Sequence, residues 1–124
     1  MKKTKKDLSS LTEQALLDLF VKYAIEQDDA LLGFEVARSN RMYWAIKDVT
    51  NELKSRPGDR RRALIPFYRH GNPQVRLKAA EATLALEPVA ARAVLESMRS
   101  IHGPQRLDAG MAIRGLDDGS YKPT

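Results

Sequence analysis

Cations crowd one stretch of the chain. Lys54, Arg56, Arg60, Arg61, Arg62, Arg69, Arg76 and Lys78 all fall between residues 54 and 78, where Asp59 is the only acid. Charges at that density attract phosphates or an acidic protein surface. Within the run, Arg60, Arg61, Arg62, Arg69 and Lys78 form the candidate binding patch. Nucleic acid is the first partner it suggests, because each phosphate neutralised releases a counterion. Two observations weigh on the other side. Consecutive residues step about 100° around a helix, so Arg60 to Arg62 spread around it, as on an ordinary solvated face. Phe67 and Tyr68 are spaced for a core rather than for a platform on which bases stack. A second candidate is the adjacent pair Tyr43 and Trp44. Neighbours on a helix point apart, so one of the two rings is left to anchor a partner, as interface aromatics often do.

Other reactive side chains are sparse. His70 and His102 are the only histidines, and each precedes a glycine at an expected helix end, where an imidazole interacts with the last carbonyls. Asp28, Asp29, Glu35 and Asn40 lie near an expected bend. A solvated acidic loop accounts for them more simply than a cation site, since hard cations need several converging oxygens at defined spacing. The chain has no cysteine, which removes disulfides, thiolate ligands and thiol nucleophiles together. It also lacks a phosphate-binding glycine loop, Gly-x-Ser-x-Gly and His-Glu-x-x-His. No catalytic, cofactor or metal residue is therefore assigned, no cofactor is expected, and the expected activity is non-enzymatic.

The elements that position these groups are helices. A chain of 124 residues, 43% hydrophobic and 30% charged, suits one folded domain with one core. No apolar run approaches the roughly 18 residues of a membrane span. The start, Met1 to Asp7, is basic but has no apolar segment behind it, so a cytoplasmic location is expected. Leu16, Leu17, Phe20, Val21, Ala24 and Ile25 recur at helical spacing behind a Thr12 or Ser10 cap. A break between 28 and 34 then leads to a second helix from about Glu35 to Ser55, a single bent helix being the alternative. Arg56-Pro57-Gly58-Asp59 ends it. A third helix from Asp59 to about Arg69 contains Pro66, which predicts a kink or 3₁₀ turn near 62–66. Pro73 behind the Asn72 cap opens a fourth, Pro88 a fifth, and a sixth runs from about Pro104 to Leu116. Residues 1–11 are expected to be a flexible basic segment, 12–116 the single helical domain, and 117–124 a frayed tail.

The chain also repeats itself. Gly71-Asn72-Pro73-Gln74-Val75-Arg76-Leu77 returns in shortened form as Gly103-Pro104-Gln105-Arg106-Leu107, with Arg106, Leu107, Ala109 and Ala112 in register with Arg76, Leu77, Ala79 and Ala82. Repetition at this period marks stacked helical units. On a helical wheel, Gln74, Lys78, Glu81 and Ala85 fall in a narrow solvent stripe and Arg76 opposite it, facing other helices. An arginine so placed needs a carboxylate or several carbonyls, so Arg76 and its copy Arg106 are expected to be structural.

Ala63-Leu64-Ile65-Pro66, then Asn72-Pro73, Val75-Arg76, Ala79-Ala80 and Leu84, resemble a HEAT repeat. Across its length the chain is similar to a small family of uncharacterised bacterial HEAT-like proteins. The resemblance implies an all-α fold, a right-handed α-α superhelix of five to six antiparallel helices whose arginine braces its neighbours. It implies no activity. The expected role is a protein-interaction module or scaffold, its partner another protein or a second copy in a homodimer. Nucleic-acid binding through 54–78 is the alternative. An immunity-type partner of a toxin is a further one.

Overall fold

The computed structural model describes residues 7–124, and those residues are all-α, with no strand among them. Helix α1 spans Glu13–Leu32, α2 Val36–Ser55, a 3₁₀ helix Arg60–Arg69, α3 Pro73–Thr83, α4 Pro88–Ser97 with a short 3₁₀ extension Met98–Ser100, and α5 Gln105–Asp118. Thr12 caps α1 by accepting the Ala15 amide at 3.1 Å. Asn72 caps α3 by accepting from the Gln74 and Val75 amides. Each satisfies donors that a helix N-terminus leaves open. The 3₁₀ segment is longer than the sequence suggested and runs through Pro66 over its whole length.

The first two helices are separate. The expected break is present, but the residue that turns the chain is Phe34, in the left-handed region at φ 58°, while Gly33 keeps an ordinary negative φ. Three backbone hydrogen bonds close this turn, Gly33 to Asp29, Phe34 to Leu31 and Glu35 to Ala30.

Burial divides into two clusters that share α3. Leu16, Phe20, Ala24, Ile46, Val49, Leu53 and Leu64 meet Val75 and Ala79 on one side of α3. Leu84, Ala91, Leu95, Met98, Ala109 and Ile113 meet its Leu77 and Ala80 on the other. A helix buried on both sides has no single apolar stripe, which is why the apolar residues of α3 are spread around it rather than gathered on one face.

Both chain ends depart from expectation. Residues 1–6 of the basic segment lie outside the described residues, but Leu8 is buried in the first cluster and Leu11 packs beside it. Arg56 holds this entry strand of chain by donating to the Leu11 carbonyl at 2.6 Å and the Leu8 carbonyl at 3.3 Å. The packed residues thus begin before Thr12. At the other end α5 continues to Asp118, and Tyr121 folds back onto the second cluster, its amide donating to Gly115 O at 3.1 Å. A Cβ on Gly115 would stand 2.8 Å from that of Tyr121, so the close approach needs glycine.

The repeat in sequence is only partly a repeat in packing: Ala79 and its match Ala109 are both buried, but the leucines differ. Leu77 is fully buried, yet Leu107 at the matching place is 69% exposed. In α5 it is Gln105, Ala109 and Ile113 that face inward.

Candidate functional site

A cleft of about 500 Å³ opens between α2 and the α3–α5 layer. Helix α2 supplies Ser39, Tyr43, Ile46, Lys47 and Thr50, which recur at three and four residues and so share one face. Opposite them stand Lys78 and Glu81 of α3, Asp108 of α5 and Tyr121 of the returning tail, over a floor that includes Gln27. Lys78 Nζ lies 3.2 Å from Glu81 Oε1 and 5.0 Å from the centre of the Tyr43 ring. The ammonium thus bridges a carboxylate and an aromatic face, a cation–π arrangement. Burial pushes the Glu81 carboxyl above its usual range, the Lys78 charge opposes that shift, and Asp108 adds to it. Burial likewise raises the Tyr121 phenol, with the Glu81 charge adding to the effect.

Tyr43 and Trp44 meet edge to face with ring centres 5.0 Å apart. Tyr43 lines the cleft at 41% exposure and Trp44 stands outside its mouth at 62%. Both rings are thus open to solvent beside a recess in which lysines and carboxylates balance. The arrangement is suited to recognition: a concave wall of mixed polar and apolar side chains with an aromatic rim.

The basic patch does not assemble. Arg60 donates to both carboxylate oxygens of Glu13, at 2.6 and 3.3 Å, and holds that carboxyl below its usual range. Arg61 is 6% exposed and forks onto Asp59 at 2.6 and 2.8 Å, with a further bond to Ala82 O. Arg62 reaches Glu87 at 3.9 Å. Lys78 sits inside the cleft with 11% of its side chain exposed. Arg69 alone of the candidates is exposed and bonded to none of the described residues. The sequence run is therefore dispersed into ion pairs whose acids come from distant parts of the chain, Glu13 and Glu87, and from Asp59 at its own helix cap.

Arg76 donates to His70 O at 2.7 Å and Gly71 O at 3.3 Å, tying α3 to the end of the preceding 3₁₀ helix. Its expected copy Arg106 does not repeat this: its side chain is exposed on α5 and makes no hydrogen bond or ion pair among the described residues. His70 is part of the same turn, its Nδ1 accepting the Asn72 amide at 3.0 Å. The acidic loop is also accounted for. Asp28 accepts from Gln105 and Asn72, while Asp29 and Glu35 share Arg38.

The polar heart of the domain is a set of residues the sequence reading passed over. Gln105 donates to Gln74 Oε1 at 2.8 Å, Gln74 to Gln27 Oε1 at 2.8 Å, and Gln27 to Ser39 O at 3.4 Å. Gln74, placed by the wheel on a solvent stripe with Lys78 and Glu81, is fully buried. Ala85 is exposed as expected, but the rest of that stripe is the inner wall of the cleft and of this ladder, because α1 packs against α3 and α2 faces Lys78 and Glu81 across the cleft. The available signal was the glutamine after each proline of the repeat, in the first turn of α3 and of α5.

The family described as Domain of unknown function (DUF2019) matches residues 14–117, which takes in all helices but the ends of α1 and α5. No curated protein matches the chain. Among solved structures, the crystal structure of the protein RPA1889 from the bacterium Rhodopseudomonas palustris CGA009 is similar at 48% identity and a TM-score of 0.92, covering 97% of this chain and 100% of that one. On the match over residues 14–117, the chain belongs to the DUF2019 family.

Proposed function

We propose that this chain is a non-enzymatic protein-interaction module that engages a protein partner through the α2 cleft, with Tyr43 and Trp44 as its anchors. The observation that carries the reading is the exposed edge-to-face pair at the cleft mouth, 41% and 62% exposed. Large aromatic rings left in solvent beside a recess are the side chains on which interface energy concentrates. The scaffold reads as a HEAT-like α-α superhelix: a proline-bearing helix, an Asn-Pro cap, Val75 turned inward and Arg76 on the carbonyls of the preceding turn. No described helix is long and apolar enough to cross a membrane, and a cytoplasmic site of action belongs to the same proposal.

Nucleic-acid binding through residues 54–78 is the weaker reading, because Arg60, Arg61 and Lys78 are already engaged by carboxylates. The two separate in one comparison. Immobilised wild-type protein should retain a stoichiometric protein partner from the lysate of its own cells, and Tyr43→Ala with Trp44→Ala should lose it while Arg60→Glu with Arg61→Glu keeps it. A labelled duplex that shifts at low salt and releases steeply as salt rises, with sensitivity to the arginine pair alone, would replace this reading with the nucleic-acid one.

A further inference from the structure

Two surfaces built from residues outside the cleft lining are apolar, exposed and opposite in charge. One is the α1–α2 turn. Leu32, Phe34 and Val36 project from it at 62%, 90% and 70% exposure. Phe34 adopts φ 58°, a conformation that bulky side chains rarely take. The three backbone hydrogen bonds of the turn hold it there, so the ring is presented on a rigid tip rather than on a loose loop. Around it, Asp29 and Glu35 share a single guanidinium, Arg38, and remain 72% and 52% exposed, which leaves the tip net negative. Strain of this kind in a residue with nothing packed on it is a pointer to function.

The other surface is the outer face of α5. Leu107, Gly110, Met111 and Arg114 recur at helical spacing there and line a groove of about 650 Å³ together with Arg99, Gly103 and Arg106. Leu107 and Met111 are 69% and 61% exposed. Gly110 has open space where a Cβ would stand, so a partner can approach the helix backbone. Arg106 and Arg114 make no salt bridge among the described residues, and Arg99 holds Glu96. The groove is apolar at its floor and net positive at its rim.

We infer that the Phe34 tip of one copy seats in the α5 groove of a second copy, and that the contact is made twice about a two-fold axis. The complementarity is double: a negative apolar projection meets a positive apolar recess. Placement supports closure. Gln105 donates to Asp28 Oδ1 at 2.7 Å, which sets the first turn of α5 beside the last turns of α1. Tip and groove thus lie at one end of the molecule, where a two-fold axis brings both contacts together and ends assembly at a dimer. Charge steers the encounter and the buried phenyl ring supplies the anchor.

Sedimentation equilibrium tests this with the full chain. Wild-type protein should be a dimer, and Phe34→Asp or Met111→Asp alone should each weaken dimerisation at least about ten-fold. Both residues are exposed, so circular dichroism and the thermal midpoint of each variant should match wild type. Mixing the two variants is the discriminating step. One intact tip then faces one intact groove, so a heterodimer should form at concentrations where neither variant pairs with itself. A monomeric wild type, a dimer indifferent to both substitutions, growth beyond the dimer, or no heterodimer on mixing would each overturn the proposal.

Discussion

Gln105 and Gln74, one in the first turn of α5 and the other in the first turn of α3, are joined by an amide-to-amide hydrogen bond of 2.8 Å with both side chains essentially out of solvent. The bond is one rung of a ladder in which each amide donates in the same sense, ending on the Ser39 carbonyl. Asp28 clamps the near end, its two oxygens accepting from Gln105 and Asn72. A fully satisfied buried network of this kind specifies which helices meet and in what register.

Interrupting the ladder should therefore cost more than one bond. Gln74→Ala strands a donor on Gln105 and an acceptor on Gln27, each worth about 1–3 kcal/mol when buried without a partner. Urea unfolding should show the loss as a lowered midpoint. The Gln27→Ala, Gln74→Ala double variant should fall short of the sum of the single effects, because the two positions share one network.

Arg61 is the second buried polar test. Its fork onto Asp59 and its bond to Ala82 O tie the start of the 3₁₀ helix to the far end of α3. Arg61→Ala should lower stability by about 1.5–3 kcal/mol, the range for hydrogen bonds to charged groups. Exposed Arg69→Ala should leave the same unfolding curve within about 0.5 kcal/mol of wild type.

The pH dependence should have two opposing parts. Glu81 titrates above its ordinary value when folded, so its contribution is complete below the unfolded value and is lost as pH rises through the folded one. Glu13, Asp59 and Asp117 are held low by Arg60, Arg61 and Arg92, so theirs is present above the ordinary carboxylate range and lost as pH falls through their lowered values. Unfolding free energies of wild type and Glu81→Gln across mildly acidic to neutral pH should diverge as pH rises, in favour of the variant. A constant or shrinking difference would remove burial as the dominant influence on Glu81.

Recognition and stability should separate on α2. Trp44 is 62% exposed, so Trp44→Ala should change stability by no more than about 0.5 kcal/mol. Phe20, fully buried and stacked on Phe67, should cost about 3–5 kcal/mol when cut to alanine.

Helices were legible because period and punctuation agreed: Thr12, Asn72, Pro73 and Pro88 all open elements where their chemistry says they should. Leu16, Phe20 and Ala24 of the α1 core followed from the same pattern, whereas Ile25 is exposed and Gln27 and Ala30 are buried without having been part of it. What failed was the inference from one helix to its neighbours. The wheel of α3 gave the angles of Gln74, Lys78 and Glu81 correctly as one face, but a wheel does not say that α1 packs against that face or that α2 walls a cleft in front of it. Arg60 and Arg62 read as a patch because their partners, Glu13 and Glu87, are far away in sequence. Tyr43 stood out as the neighbour of Trp44 and Lys78 as a member of the basic run, and only the fold brings ring and ammonium to 5.0 Å. Phe34 gave no signal at all, since its conformation contradicts its propensity.

The central claim is that a protein partner docks at the α2 cleft, and site-specific photo-crosslinking in the native cell tests it most directly. A photoreactive residue in place of Trp44 should trap one protein in defined stoichiometry, and Tyr43→Ala should abolish the adduct. The same probe in place of Val89, 84% exposed but remote from the cleft on α4, should trap none. Equal and diffuse labelling from both positions, or adducts to nucleic acid alone, would contradict the account.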